Sequence, residues 1–88
     1  MPYYCYILLC NNGAYYSGWT TNPQARFLRH QSGKAAAYTR MHKPLEIVYL
    51  EELPDRSSAL KREHQLQKLT HSQKAELIAR QKQTQDKD

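Results

Sequence analysis

The feature that most constrains the fold is an abrupt change of pattern at Asn22-Pro23. The residues before it, 14–19, are rich in aromatic side chains, which favours a strand, and Gly18 allows a tight exit from that strand. Asn22 is suited to accept a hydrogen bond from the first free N–H groups of a helix, and Pro23 has the fixed φ of a first helical position. The sequence therefore predicts a strand over residues 14–19, followed at once by a helix that begins at Pro23.

Three polar side chains are expected to meet at this junction. Arg26 and His30 are four residues apart and therefore project from the same face of the predicted helix. Tyr16 lies near the end of the preceding strand, on the side from which the helix starts. A phenol, a guanidinium and an imidazole in this arrangement are suited to holding and cleaving a phosphodiester.

Two further stretches predict strands. Residues 3–10 are rich in β-branched and aromatic side chains, and Asn11-Asn12-Gly13 connects them to the next strand as a hairpin, with glycine where a left-handed φ is needed. Residues 45–53, between Pro44 and Pro54, have an apolar middle and predict the third strand.

Capping signals mark the ends of the predicted helices. Gly33 is placed to end the first helix in a left-handed conformation, and either Asp55 or Ser57 can cap the start of a second. Thr70 and Gln73 fit a capping box that opens a last helix. The resulting order, β-β-α-β-α-α, predicts an α+β domain in which helices cover a small antiparallel sheet.

The length of 88 residues allows one domain, which we expect over residues 1–80, with 81–88 as a polar C-terminal tail. No apolar run approaches the roughly 20 residues needed to cross a bilayer, so no membrane association is expected. The N-terminus lacks the basic and apolar segments of a signal peptide, which predicts a cytoplasmic location. Cys5 and Cys10 point to opposite faces of their predicted strand, so we expect both to be unpaired apolar fillers.

The net charge of +5 is unevenly distributed, because residues 1–44 contain five arginines and lysines and no carboxylate. This segregation favours a polyanionic partner, and ordinary solubility is the alternative. Residues 34–43 predict a basic loop whose cations flank a tyrosine, which suits a groove that follows a nucleic-acid backbone and stacks one base. A solvated basic loop is the other interpretation. The candidate nucleic-acid contacts are Arg29, Lys34, Tyr38, Arg40 and Lys43.

Glu63 is the most informative acid, because it falls within the apolar arc of the second predicted helix. That arc is formed by Ala59, Leu60, Leu66 and Leu69. A carboxylate on a buried face is costly unless a cation receives it. One interpretation is an ion pair with Arg26 or Arg29, or a side chain that reaches the rim. The other is a single protein ligand for a divalent cation, which magnesium tolerates because it keeps several waters.

Tyr6 is predicted on the strand next to Tyr16, so both hydroxyls can point at the same position, although plain sheet packing also suits tyrosine. A zinc site has little support, because the sequence contains no Cys-x-x-Cys and no His-x-x-x-His.

These residues in this order resemble a known family. Tyr4-Cys5-Tyr6, then Tyr16-Ser17-Gly18, then Arg26, His30 and Glu63 are similar to the motifs of the GIY-YIG nuclease superfamily, in its branch of small stand-alone bacterial proteins. The resemblance runs from about residue 3 to residue 78.

The resemblance implies a three-stranded antiparallel sheet with flanking helices and a divalent metal. The family's two motif tyrosines fall on Tyr6 and Tyr16, its helical arginine on Arg26, its His-or-Tyr position on His30 and its metal-binding glutamate on Glu63. Two departures are visible. Tyr4, Cys5 and Ser17 replace the glycine and the two isoleucines of the motifs, and no asparagine follows Asn22, whereas larger family enzymes use a late asparagine near the site.

The resulting hypothesis is an endonuclease that hydrolyses DNA, with branched and single-stranded DNA among the candidate substrates, and that holds one Mg²⁺ or Mn²⁺ on Glu63. The metal lowers the pKa of an attacking water, and Tyr16 or His30 helps to remove its proton. Tyr6 hydrogen-bonds the water or the phosphate, and Arg26 stabilises the pentacovalent state.

Two alternatives remain open. One is a nucleic-acid-binding module with weak or no catalysis. The other is an adaptor subunit whose last helix docks a protein partner through Leu77 and Ile78.

Overall fold

Three antiparallel strands form one sheet in the order β2-β1-β3 in the computed structural model, which describes residues 2–85. The strands are β1 (Tyr3–Cys10), β2 (Tyr15–Thr20) and β3 (Pro44–Leu53). Gly13 in the β1–β2 turn has a φ of 84°, as the hairpin required. The predicted α+β fold with a three-stranded antiparallel sheet is confirmed.

The register of the hairpin places the two motif tyrosines beside each other. Tyr6 pairs with Gly18, and Leu8 pairs with Tyr16. Tyr6 and Tyr16 are therefore diagonal neighbours on the same face of the sheet, within reach of each other for long aromatic side chains. Gly18 lies inside β2 and not at its exit, so the predicted turn role of this glycine is wrong.

Helix α1 (Pro23–Gln31) begins and ends as its capping residues predict. The Asn22 side chain accepts a hydrogen bond from the Ala25 N–H at 3.2 Å. At the other end Gly33 has a φ of 78°. Its N–H donates to the His30 carbonyl, and the next N–H, of Lys34, donates to the Arg29 carbonyl, which together form a Schellman motif.

Residues 34–43 are not entirely a loop, because they contain the short helix α2 (Ala37–Met41). The expectation of a loop was wrong for a physical reason. Five residues are too few to show a helical repeat, and the N-cap, Ala36, has no side chain that could signal a helix start. Within α2, the Thr39 hydroxyl donates its hydrogen to the Ala36 carbonyl at 3.2 Å.

Helices α3 (Arg56–Lys68) and α4 (His71–Gln85) follow β3. Asp55 caps α3 by accepting from the Ser58 N–H at 2.7 Å. Thr70 and Gln73 form the predicted capping box through two reciprocal bonds of 2.9 and 3.2 Å.

The predicted polar tail is helical over its first five residues, because α4 continues to Gln85. Residues 86–88 lie outside the described part of the chain. Gln81, the first residue of that tail, binds the backbone of the edge strand β3. Its side-chain amide accepts from the Leu50 N–H at 3.1 Å and donates to the Leu50 carbonyl at 2.6 Å.

The main core lies between the sheet and the helices α3 and α4. Its buried members are Cys5, Ile7, Tyr49, Ala59 and Leu66, and Leu77 and Ile78 pack against it. Leu77 and Ile78 are thus used by the domain itself.

Leu60 was expected in this core but is 41% exposed, because the buried arc of α3 is centred on Ala59 and Leu66.

Both cysteines are buried and unpaired, as expected. Within residues 2–85, no helix has the length and apolar character that crossing a membrane requires.

Candidate active site

A buried hydrogen bond between Tyr6 and His30 forms the centre of the site. The Tyr6 hydroxyl lies 2.8 Å from His30 Nε2, and the imidazole is only 1% exposed. The other ring nitrogen, Nδ1, lies 2.8 Å from the hydroxyl oxygen of Thr39. Both nitrogens of His30 are therefore engaged by hydroxyl groups of the protein. Burial, together with the nearby positive charge of Arg26, lowers the pKa of His30 below its usual 6.5.

Tyr16 contacts the same imidazole through its ring. The ring centroids of Tyr16 and His30 are 5.3 Å apart with an edge-on angle of 63°. Burial raises the pKa of Tyr16, and the charge of Glu63 raises it further, whereas Arg26 opposes the rise. His30 is thus in contact with both motif tyrosines, but only Tyr6 shares a hydrogen bond with it.

Gly18 determines where the Tyr6 hydroxyl can lie. A Cβ atom at position 18 would be 2.6 Å from Tyr6 Cζ, closer than real Cβ contacts come. The Tyr6 ring therefore lies directly across the backbone of Gly18, on the edge strand of the sheet. Any other residue at this position would push the hydroxyl away from His30.

Arg26 and Glu63 bring opposite charges to the same two phenols. Burial is the main cause that raises the pKa of Tyr6 to about 12. Arg26 opposes this rise through its positive charge, whereas Tyr16 and the carboxylate of Glu63 add to it. Because Tyr16 shows the same two influences, the guanidinium and the carboxylate are both close enough to act electrostatically on the tyrosine pair. The site thus combines five residues from four elements of the fold, β1, β2, α1 and α3.

The turn of α3 that carries Glu63 is attached to β1. The Cys5 thiol donates to the Ala59 carbonyl at 3.2 Å, one helical turn before Glu63, and Ala59 and Leu66 are fully buried on either side. This packing fixes the height of Glu63 along the sheet. Burial raises the pKa of Glu63, and His64 partly opposes the rise.

Glu63 has no ion-pair partner among the side chains that the structure describes, so neither Arg26 nor Arg29 pairs with it. Within residues 2–85 there is also no cluster of three or more histidines, cysteines and acids that could hold a metal by themselves. A half-buried, unpaired carboxylate fits an ion that takes one protein ligand and fills its remaining positions with water and substrate oxygens. Mg²⁺ and Mn²⁺ meet that description, and Zn²⁺ does not.

The predicted nucleic-acid contacts lie outside this cluster, on α1, α2 and the segments that flank them. Arg29, Lys34, Tyr38, Arg40 and Lys43 are all exposed. Tyr38 connects them to the site, because its ring stacks on Tyr16 with centroids 6.0 Å apart. His42 lies against Tyr38 at 4.8 Å, and Asn12 donates to the Tyr38 hydroxyl at 3.1 Å. A base that stacks here would have to displace His42 or extend the row beyond it.

Sequence reasoning missed two residues of the site. Thr39 was assigned no role, because its helix was not predicted and its partner His30 is nine positions earlier. Gly18 was noticed as a glycine but was given the wrong role. Its pairing with Tyr6 depends on the hairpin register, and the register would have pointed to a close approach.

Comparison of the sequence with known protein families identifies the class of protein. Residues 2–76 match the GIY-YIG catalytic domain, so the chain belongs to the GIY-YIG family of nucleases. Enzymes of this family generally use divalent metals.

Similar proteins are small and carry the name UPF0213. One from Staphylococcus epidermidis is 40% identical over 76 residues, which cover 86% of this chain and 93% of that protein. Two solution NMR structures are also similar to this chain. Each match covers 90% of this chain and 84% of the chain in that structure. The UPF0213 protein BH0048 from Bacillus halodurans has a TM-score of 0.57 at 35% identity, and EF2693 from E. faecalis has 0.61 at 36%. These matches confirm the resemblance to a branch of small stand-alone proteins.

Proposed function

We propose that this protein is a metal-dependent endonuclease that hydrolyses phosphodiester bonds of DNA at a single-metal site. The observation that carries the proposal is the buried hydrogen bond between Tyr6 and His30, in contact with Tyr16, at a place where the charges of Arg26 and of the unpaired Glu63 act on both phenols. Phosphodiester hydrolysis needs a cation for the charge that develops on phosphorus oxygens and an acceptor for the proton of water. The five residues supply both.

Glu63 would hold the Mg²⁺ or Mn²⁺ ion, because its carboxylate is partly buried and has no other partner in the described chain. When bound, such an ion polarises the phosphate and acidifies water. The preference of Mg²⁺ for few protein ligands is compatible with a site that contains one carboxylate.

The Tyr6–His30 pair would accept the proton of the attacking water. The phenol is a poor base by itself, because its pKa is about 12. His30 offers an alternative, since its lowered pKa keeps it neutral at pH 7 and therefore able to take the Tyr6 proton. We assign Tyr16 to positioning, because it contacts His30 through its ring and the pKa of its own hydroxyl is also raised. This assignment narrows the initial hypothesis, in which Tyr16 or His30 removed the proton.

Arg26 would neutralise the pentacovalent transition state. Its side chain is exposed, so a phosphate can reach it, and its charge acts on both phenols. The exposed cations of α1 and α2 would bind the DNA backbone on the side of the site that carries Tyr38.

The test is Glu63→Gln, assayed with Mg²⁺ or Mn²⁺ on supercoiled duplex, single-stranded and branched DNA. The loss of the carboxylate is expected to lower the cleavage rate by about a hundredfold or more while DNA binding remains, as is typical when one group that stabilises a transition state is removed. Glu46→Gln is the matched control, because it makes the same charge change at an exposed position on the far edge strand.

Wild-type cleavage by Glu63→Gln would remove the carboxylate from the mechanism. DNA binding by the wild type without any cleavage that depends on Glu63 would instead favour the inactive binding module.

A further inference from the structure

Thr39 carries a buried hydroxyl that makes two hydrogen bonds, one as a donor and one as an acceptor. The residue is 1% exposed, and its Oγ1 lies 3.2 Å from the Ala36 carbonyl and 2.8 Å from His30 Nδ1. A carbonyl oxygen can only accept, so both bonds form together only when the single hydroxyl hydrogen of Thr39 is donated to Ala36. The oxygen then has only lone pairs to offer to His30.

This direction determines the tautomer of His30. A nitrogen that faces lone pairs at 2.8 Å must carry the hydrogen, so Nδ1 is protonated. A neutral imidazole has one N–H, and its other nitrogen is an acceptor. Nε2 is therefore bare, and the Tyr6 hydroxyl donates to it. The hydrogen bonds run in one direction, from Tyr6 through His30 and Thr39 to the backbone of Ala36.

We propose that Thr39 is a positioning residue that fixes His30 in its Nδ1–H tautomer and so keeps Nε2 available for the Tyr6 proton. The His30 ring is 1% exposed and each of its nitrogens faces a hydroxyl group of the protein, so neither nitrogen has a water as a competing partner. Without the hydroxyl, Nδ1 loses its acceptor and the proton can move to Nε2, where it would face the Tyr6 oxygen and reverse that bond.

The consequence for the rate rests on the proposed function, whereas the tautomer does not. In the proton step, the attacking water forms a bond to phosphorus and gives its proton to the Tyr6 oxygen. The Tyr6 O–H proton passes at the same time to His30 Nε2, which becomes an imidazolium. The phosphorus–oxygen bond to the leaving group breaks, and its electron pair leaves with that oxygen. Thr39 can still accept from Nδ1–H in the charged state, so the bond it makes is kept throughout.

The first test observes the ring nitrogens of His30 by ¹⁵N NMR in the wild type, Thr39→Val and Thr39→Ser. The His30 signals are assigned by their absence in His30→Gln. The wild type and Thr39→Ser are expected to carry the hydrogen on Nδ1 with Nε2 bare, and Thr39→Val is expected to shift population to Nε2–H. A wild-type spectrum with the hydrogen on Nε2 would overturn the inference, whatever the stability of the variants. An unchanged Nδ1–H tautomer in folded Thr39→Val would do the same.

The second test measures cleavage. Thr39→Val is expected to lower kcat by at least about tenfold with little change in KM, because a misplaced proton weakens general-base catalysis. Thr39→Ser is expected to retain the rate, and Thr21→Val is the control, as an exposed threonine outside the site. Equal kcat values for Thr39→Val and the wild type would contradict the positioning role. If the wild type itself does not cleave DNA, the proposed function fails, and the NMR result still decides the tautomer.

Discussion

The position of the Tyr6 hydroxyl depends on a glycine as much as on its hydrogen-bond partner. Its hydroxyl reaches His30 only because no side chain stands at Gly18, the residue with which it pairs across the hairpin. A side chain at position 18 would collide with the Tyr6 ring, and the ring cannot swing out of the way without cost, because Tyr6 is buried. Position 18 is therefore part of the geometry of the site, although it has no functional group.

We predict that Gly18→Ala displaces the Tyr6 hydroxyl and lowers the cleavage rate by about tenfold to a hundredfold, the usual cost of a misplacement near 1 Å. Cleavage kinetics of Gly18→Ala, Tyr6→Phe and the double variant measure this. If the added methyl group acts through the phenol, it should cost little further rate once Tyr6→Phe has removed the hydroxyl. Independent, fully additive losses would argue against the mechanism.

At the scale of elements, local capping was predictable and long-range pairing was not. The capping residues bind backbone groups that lie within about three positions of them, so the local sequence is sufficient to predict the helix ends. These residues are Asn22, Gly33, Thr70 and Gln73. The bond between Tyr6 and His30 joins positions 24 apart and depends on how α1 returns over the sheet. The sequence predicted that these side chains converge, but not that Tyr6 and His30 share a hydrogen bond. The bond of His30 Nδ1 to Thr39 was not predicted at all, because α2 is too short to leave a pattern in the sequence.

Strand β2 also contains an unfavourable group. The hydroxyl of Ser17 is buried and has no hydrogen-bond partner within residues 2–85, and the residue stands where the family motif has an isoleucine. An unpaired buried hydroxyl costs about 1–3 kcal/mol. Neighbouring Thr20 is buried in the same strand, but its hydroxyl accepts from the Asn22 N–H at 3.1 Å.

We therefore predict opposite effects of two similar substitutions on the free energy of unfolding. Ser17→Ala should raise it by about 1 kcal/mol, and Thr20→Val should lower it by a similar amount, because only the second substitution removes a hydrogen bond. Urea denaturation of both variants beside the wild type provides the measurement. A destabilised Ser17→Ala would mean that the hydroxyl has a partner in solution.

At the scale of the whole molecule, the net charge of +5 and the exposed cations of α1, α2 and the segments that flank them predict how DNA binding responds to salt. Each phosphate contact adds about 0.9 to the slope of log affinity against log salt for duplex DNA, and about 0.7 for single strands. Arg40→Gln and Lys43→Gln should each lower the slope by about that amount. Lys82→Gln on α4, also exposed, should leave it unchanged. Slopes that are the same for all three variants would show that the basic surface does not follow the backbone.

Helix α4 reaches both outer strands of the sheet. Gln81 occupies the backbone groups of Leu50 on β3, and the Lys74 ammonium donates to the Tyr15 carbonyl of β2 at 3.4 Å. An unprotected outer strand is a template on which further copies can add, as in fibrils. A protein shortened at residue 80 would keep all five residues of the site and yet lose the amide that binds the edge of β3 at Leu50. The Leu50 N–H and carbonyl would then be open to a strand from another copy, so Gln81 contributes to the protection of this edge and not to catalysis.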